Sequence, residues 1–259
     1  MRGERPQRSH VRDSRMRRIV VDIGAVSARR HGIPAWFEAD ITEVRQRLKE
    51  GEAVSLTVYV VATLARAVAR HPRMHGCRDL RGRTVLFDDV DVNVSVEVDI
   101  SGESFPMNHV LRRADARDPT DLGEELRRVA SDPAHSETNR LLPVAHAYLM
   151  LPAFVRRRLL GAMRRLPTVQ KNAGGTVGVT SVGMFGRGGG VGLPFLVHTL
   201  DVLVGGLAER PGYGSDGEVG RRSYLSLAVV ADHDVVDGAP LARFLAELRR
   251  DLETGAVLE

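Results

Sequence analysis

The chain has 259 residues, 43% of them hydrophobic and 27% charged, which is enough apolar material for one large or two small packed domains. Its net charge is +4, and the basic residues are almost all arginine, with Lys49 and Lys171 the exceptions. No basic patch is interleaved with stacking aromatics and no zinc or helix-turn-helix pattern occurs, so nucleic-acid binding is not implied. A single cysteine, Cys77, excludes an intrachain disulfide and fits a reducing, cytoplasmic setting. No run of 18 apolar residues predicts a spanning helix. Arg17-Arg18 before an apolar stretch is a poor export signal, because Asp22 interrupts that stretch almost at once.

Residues 1–13 carry Arg2, Arg5, Arg8 and Arg12 with almost nothing apolar, and a disordered basic tail is expected there. From Ser14 to Arg30 a basic lead-in segment follows. Ile33 to Ile41 reads as a strand bounded by Gly32-Ile33-Pro34, and Thr42 to Lys49 as a short helix closed by Gly51. Leu56 to Arg70 has apolar residues at 56, 60, 61, 64 and 68, a helical period, and stops at His71-Pro72.

Arg83 to Ile100 gives the clearest strand signal. Val90, Val92, Val94, Val96 and Val98 alternate with Asp91, Asn93, Ser95, Glu97 and Asp99. The acidic face is read as a solvated sheet face; carboxylates along a strand without a histidine cluster do not predict a metal site. Pro119 to Ala130 is a helix introduced by Asp118-Pro119. The stretch 140–166 mixes apolar residues with Arg156-Arg157-Arg158 and Arg164-Arg165, and Pro143 and Pro152 break it into short helical pieces. Packing over the core or a neighbouring subunit is weighed first for it, and peripheral contact with an anionic membrane second.

Gly186 to Gly192 is glycine-rich but lacks the Gly-Lys-Ser/Thr ending of a phosphate-binding loop, so it is read as a flexible turn. Leu196 to Leu207 is a strand, and Pro211 to Glu218 a hairpin loop. Tyr224 to Val230 is a buried strand leading into Ala231-Asp232-His233-Asp234-Val235-Val236-Asp237-Gly238, and Ala239 to Leu252 is an amphipathic helix. A histidine at a strand end, with an aspartate four residues on and a glycine for the turn, is arranged like a held general base. The competing reading is a satisfied loop histidine beside a helix-capping aspartate.

The segment DHDVVDG, with the helix behind it, resembles the end of the dihydrolipoyl acyltransferase components of 2-oxo-acid dehydrogenase complexes. Gly174-Gly175-Thr176-Val177-Gly178-Val179-Thr180-Ser181-Val182-Gly183-Met184-Phe185-Gly186 resembles that family's second signature, upstream of the first as it should be. The 33–72 region resembles its first strand and long packing helix. The resemblance implies an α/β fold, an α+β two-layer sandwich of the chloramphenicol acetyltransferase-like type, with a mixed sheet, packing helices and a trimer or higher multiple of trimers. It would occupy residues 14–259, with a helical insertion at 140–166.

The chemistry it implies is acyl transfer between coenzyme A, as acyl-coenzyme A, and a thiol acceptor of lipoyl type, without a metal. His233 would be the base, Asp237 would keep its geometry, and Thr180 would donate to the oxyanion, with Ser181 an alternative one residue away. Ser181, His198 and Gly238 are the candidate substrate-binding residues; His198 is either that or a local replacement for the family's Asn-Pro-Pro-Gln turn. Ser101 to His109 departs from the family's channel-lining segment, and Asp234 stands where the family has arginine. No lipoyl domain or subunit-binding module is visible, so the lipoyl group is expected in trans on a carrier protein. The alternatives are a non-catalytic trimeric scaffold and a small-molecule O-acetyltransferase.

Overall fold

A computed structural model describes residues 17–51, 54–100, 103–136, 142–182, 188–214 and 217–258. The expected tail at 1–13 and the G-x-F-G end of the second signature lie outside the described residues. Eight helices and eight strands are seen among the described residues. In chain order they are α1 (Arg17–Ser27), β1 (Gly32–Asp40), α2 (Thr42–Gly51), α3 (Leu56–Arg70), β2 (Cys77–Arg78), β3 (Thr84–Val85), β4 (Val92–Ile100) and β5 (Glu103–Leu111). Then follow α4 (Pro119–Ser131), α5 (Leu142–Met150), α6 (Ala153–Met163), α7 (Pro167–Gly174), β6 (Val177–Ser181), β7 (Leu200–Tyr213), β8 (Val219–Asp232) and α8 (Gly238–Thr254).

Six strands form one mixed sheet in the order β1-β8-β7-β6-β4-β5, with β6 parallel to both β4 and β7 and the other pairs antiparallel. The core lies between one face of this sheet and the helices. Val92 and Val94, Val177 and Val179, Val202 and Val204, and Leu225, Leu227 and Val229 point into it, as a period of two requires. Across from them α3 is buried along nearly its whole length and α8 contributes Leu241, Phe244, Leu248 and Leu252. Tyr59 is fully buried and its hydroxyl donates to the Leu252 carbonyl at 2.8 Å, tying α3 to the end of α8; burial pushes its pKa up to about 12. The result is the two-layer α/β arrangement the motifs imply.

Several boundaries differ from the sequence reading. Arg83 to Ile100 is not one strand: Thr84–Val85 pairs with Cys77–Arg78 in a separate hairpin, and the sheet strand begins at Val92. Asp91, counted on the solvated face, is buried instead, holding Arg112 at 2.9 Å and the Arg113 backbone N–H at 3.0 Å. Leu196 to Thr199 precedes β7 rather than starting it; the carbonyls of Leu196, Val197 and His198 are taken by arginines. Pro143 does not break a helix; it sits in the first turn of α5, where its missing N–H is harmless, while Pro152 does separate α5 from α6. The glycine loop is no free turn where it is described. Gly190 accepts from the Gly206 N–H at 2.8 Å, and the bulge at Gly205-Gly206 in β7 leaves no room there for a Cβ.

Helix α1 packs on α6 around Asp22, a fully buried carboxylate. It accepts from Arg156 at 2.6 Å and Arg157 at 3.0 Å, with the Tyr148 hydroxyl at 3.4 Å. Burial alone would raise the Asp22 pKa, but the two guanidiniums outweigh it and hold the carboxyl below its usual value. The outer surface of this unit carries Val144, Met150 and Phe154, the last two 80% and 70% exposed. A folded-state pKa below the unfolded one contributes stability above the unfolded value, near pH 4, and loses it as pH falls through the folded value. Hydrogen exchange in α1 and α6 should therefore accelerate selectively below about pH 4. Asp22→Asn should destabilise the fold by about 3 kcal/mol in urea melts at pH 7, since it leaves the buried Arg156 unpaired.

Candidate active site

The histidine turn is built by its neighbours in sequence. After β8 ends, Val235 and Val236 drop into the core and donate their backbone N–H groups to the Asp232 carbonyl at 3.0 and 2.9 Å. That leaves His233, Asp234 and Asp237 facing outward. The backbone of His233 is fixed by donation to the His31 carbonyl at 2.8 Å, and its side chain is 54% exposed. Asp237 caps α8 by position without a side-chain cap bond, and its carboxylate lies 3.8 Å from His233 Nδ1. That distance allows electrostatic attraction but exceeds a hydrogen bond. Asp234 does not face His233; it pairs with His31 Nδ1 at 3.1 Å.

Behind the turn sits a buried lock that sequence spacing did not reveal. The Asp232 carboxylate binds Arg30 through one oxygen and accepts the Asp234 N–H at 3.2 Å through the other. Arg30 also donates to the carbonyls of Val197 at 3.1 Å and His198 at 2.5 Å, and Arg164 to those of Leu196 at 3.0 Å and Val197 at 2.7 Å. One guanidinium thus ties the catalytic-type turn to the segment before β7. The only signal in the sequence was the basic lead-in ending at Arg30; its partner lies 202 positions away.

His198 is buried, with Nδ1 at 2.7 Å from Asp201 Oδ1 and Nε2 at 2.8 Å from the Gly174 carbonyl. Asp201 further accepts the N–H groups of Val197 and His198 at 2.6 and 2.7 Å. Both ring nitrogens are engaged within the protein, and the pair fills the space over Gly178 that a side chain there would need. His198 is therefore placed as a brace between the end of α7 and β6.

Strand alternation separates Thr180 from Ser181. Val177 and Val179 face the helices, and Ser181 shares that side, near Thr57 Oγ1 at 3.4 Å. Thr180 lies on the opposite, open face, half-buried, in register with Ser95 and Leu203. One strand over, on the same face, Asn93 Oδ1 is a buried side-chain oxygen without a hydrogen-bond partner among the described residues. Trp36, Leu193 and Phe195 are also exposed, at 60%, 65% and 57%.

Thr180 and His233 do not meet within one chain. The Thr180 row runs through Leu203 to Ala228 on β8, with β7 in between, and His233 comes five residues after Ala228. At about 3.4 Å per residue and 4.8 Å per strand, the two lie roughly 20 Å apart. Two further candidates, His75 and Cys77, fall away on burial. His75 is pulled down to about 4 by burial and by Lys171, and Cys77 is pushed up to about 11 by burial and Asp79. No group of three or more histidine, cysteine or acidic residues among the described residues is placed to hold a metal ion.

Gly238 is the first residue of α8 and has no positive φ, so the turn does not require glycine there, contrary to the sequence reading. Nothing lies within 4 Å of where its Cβ would stand. Gly238→Ala should fold as well as the parent or gain about 0.5 kcal/mol, read as an unchanged or raised melting temperature.

Residues 160–258 match the family model of the 2-oxoacid dehydrogenases acyltransferase (catalytic domain). The chain is 23% identical over 201 residues to the dihydrolipoyllysine-residue acetyltransferase component of the pyruvate dehydrogenase complex of Mycoplasma pneumoniae. That alignment takes in 77% of this chain and 42% of the relative, so the chain spans less than half of that protein. In fold it is similar to the cubic core of the pyruvate dehydrogenase multienzyme complex, with TM-score 0.68, 18% identity, and 98% and 95% of the two chains covered. It also overlays on chloramphenicol acetyltransferase with TM-score 0.50, 15% identity, and 90% and 94% coverage. The acyltransferase resemblance drawn from the two motifs holds, and the fold is of the chloramphenicol acetyltransferase-like type.

Proposed function

We propose that the protein is a coenzyme A-dependent acyltransferase whose active site forms between two copies of the chain, within a trimer. The observation that carries this reading is the separation just described. The candidate base stands exposed at one end of β8, and the candidate oxyanion donor stands on the open sheet face, too far away to share a substrate. A neighbouring copy laid on that face brings one chain's His233 to another chain's Thr180. The exposed Trp36 and Phe195 and the unpartnered Asn93 oxygen support such a cover.

In this mechanism His233 Nε2 accepts the proton of an attacking thiol, with Asp237 drawing nearer to Nδ1 and stabilising the imidazolium. The thiolate adds to the thioester carbonyl, and the Thr180 hydroxyl donates to the oxygen as it gains charge. Collapse expels the thiolate of coenzyme A, which takes back the proton from His233. Every atom and charge is then accounted for, and no covalent enzyme intermediate is needed. A lipoyl-type dithiol on a separate carrier is the acceptor this reading favours. Docking the acceptor thiol and the thioester in one closed channel supplies the remaining rate enhancement by orientation.

Incubation with acetyl-coenzyme A and dihydrolipoamide, following release of coenzyme A thiol, tests the reaction directly. His233→Ala should lower kcat by about 10²–10⁴-fold. Thr180→Ala should lower it by about 10²–10³-fold with little change in KM. Mixing the two variants under conditions that let subunits exchange should restore a fraction of the activity, because some interfaces then regain both residues. Full activity in His233→Ala, or no recovery on mixing subunits shown to exchange, would overturn the shared site.

A further inference from the structure

A cavity of about 700 Å³ lies beside the sheet between α1, α6 and the β2–β3 hairpin. Asp232 and Asp234, on either side of His233, form one wall. The volume suits a small-molecule site, which usually falls at about 300–1,000 Å³. Its lining is unusual in being crowded with guanidinium groups. Arg29 and Arg30 enter from the end of α1, Arg78 from the hairpin, and Arg158, Arg164 and Arg165 from α6 and the turn after it.

Three carboxylates share the wall: Asp232 is paired with Arg30 and Asp79 with Arg83, while Asp234 lies 3.1 Å from His31 Nδ1. Arg29, Arg158 and Arg165 meet no carboxylate among the described residues, and Arg78 donates to the Gly82 carbonyl at 2.9 Å. Arg164 spends its donors on backbone carbonyls, and its pKa is drawn down to about 10 by burial and then by the neighbouring Arg30. Guanidinium groups therefore outnumber carboxylates in this concave site. The C-terminal end of α6 opposes them with only about half a negative charge.

Spacing adds a shape argument. Arg158, Gly161 and Ala162 of α6 and Arg165 of the turn after it all line the cavity. Two arginines thus flank two small residues, with nothing within 4 Å of where a Gly161 side chain would stand. That leaves a shelf between two anion-binding groups, wide enough for a ligand with two separated negative centres. Guanidinium forks match phosphate oxygens in geometry as well as charge.

We propose that this cleft docks the phosphate-bearing end of the acyl carrier, a coenzyme A thioester, with Arg158 and Arg165 engaging separate phosphate groups. The assignment rests on the acyltransferase reading above and adds the residues that hold the donor. Arg29 and Arg78 close the far side, and the wall at Asp232–Asp234 sets the carrier's path toward His233.

Adenosine 3′,5′-bisphosphate, which carries phosphates but no thiol, is the direct probe, titrated calorimetrically into the full chain. The parent should bind it, more weakly as salt rises, and Arg158→Glu with Arg165→Glu should bind at least ten-fold more weakly at an unchanged melting temperature. Arg158→Lys with Arg165→Lys should retain most of the binding. No binding by the parent, or equal binding by the glutamate variant, overturns the site. So does binding of anionic phospholipid vesicles, lost in that variant, without binding of the bisphosphate. The two readings fail differently. Binding without acyl transfer leaves the cleft standing and removes the activity, whereas acyl transfer with an unchanged KM for acetyl-coenzyme A in the glutamate variant removes the cleft alone.

Discussion

The contact on which the rest of the site depends is the buried pairing of Arg30 with Asp232. Asp232 sits at the last position of β8, where a strand must become a turn, and its carboxylate both accepts the Asp234 N–H and binds a guanidinium. Arg30 in turn satisfies the carbonyls at 197 and 198, which have no strand partner. Breaking an ion pair in a buried setting is strongly unfavourable because the remaining charge keeps its desolvation cost. The turn geometry, the segment before β7 and the end of α1 are therefore fixed together. His233 gains an ordered backbone while its ring stays free.

The neighbouring polar groups show a division between bracing and function. His198 and Asp201 are saturated with internal hydrogen bonds, and they fill the space beside Gly178. His75 is neutral and deep in the core, and His109 is held by Ser136 and Glu125 at 3.1 and 2.7 Å. A group whose donors and acceptors are all engaged has no capacity left for a substrate. His233 differs: its ring is exposed and its carboxylate neighbour stands just beyond hydrogen-bond range. The same contrast separates Thr180, on the open face, from Ser181, turned toward the helices.

The arginine-rich unit of α1, α5 and α6 gives the chain a character of its own. Asp22 neutralises part of its charge internally, which lets α1 and α6 pack despite the guanidiniums between them. The charge left over faces the cavity next to the His233 turn, while Met150 and Phe154 face outward. Internal pairing shapes the fold here, and the unpaired remainder shapes what the fold can attract.

Much of this was legible in the sequence for reasons of local physics. The alternation from Val92 to Ser95, the helical spacing of 56–70 and the amphipathic helix from Gly238 announce themselves because each element's burial pattern is periodic in its own residues. The two motifs likewise single out His233, Asp237 and Thr180 as candidates, since they combine distinctive residues within a few positions. What only the tertiary structure decided depends on partners far apart in the chain. Arg30 meets Asp232, Asp22 meets Arg156, and His198 meets Gly174 across separations no period encodes. The choice between Thr180 and Ser181 needed the register of β6 against its neighbours, because alternation says that two adjacent residues face opposite ways but not which way the core lies.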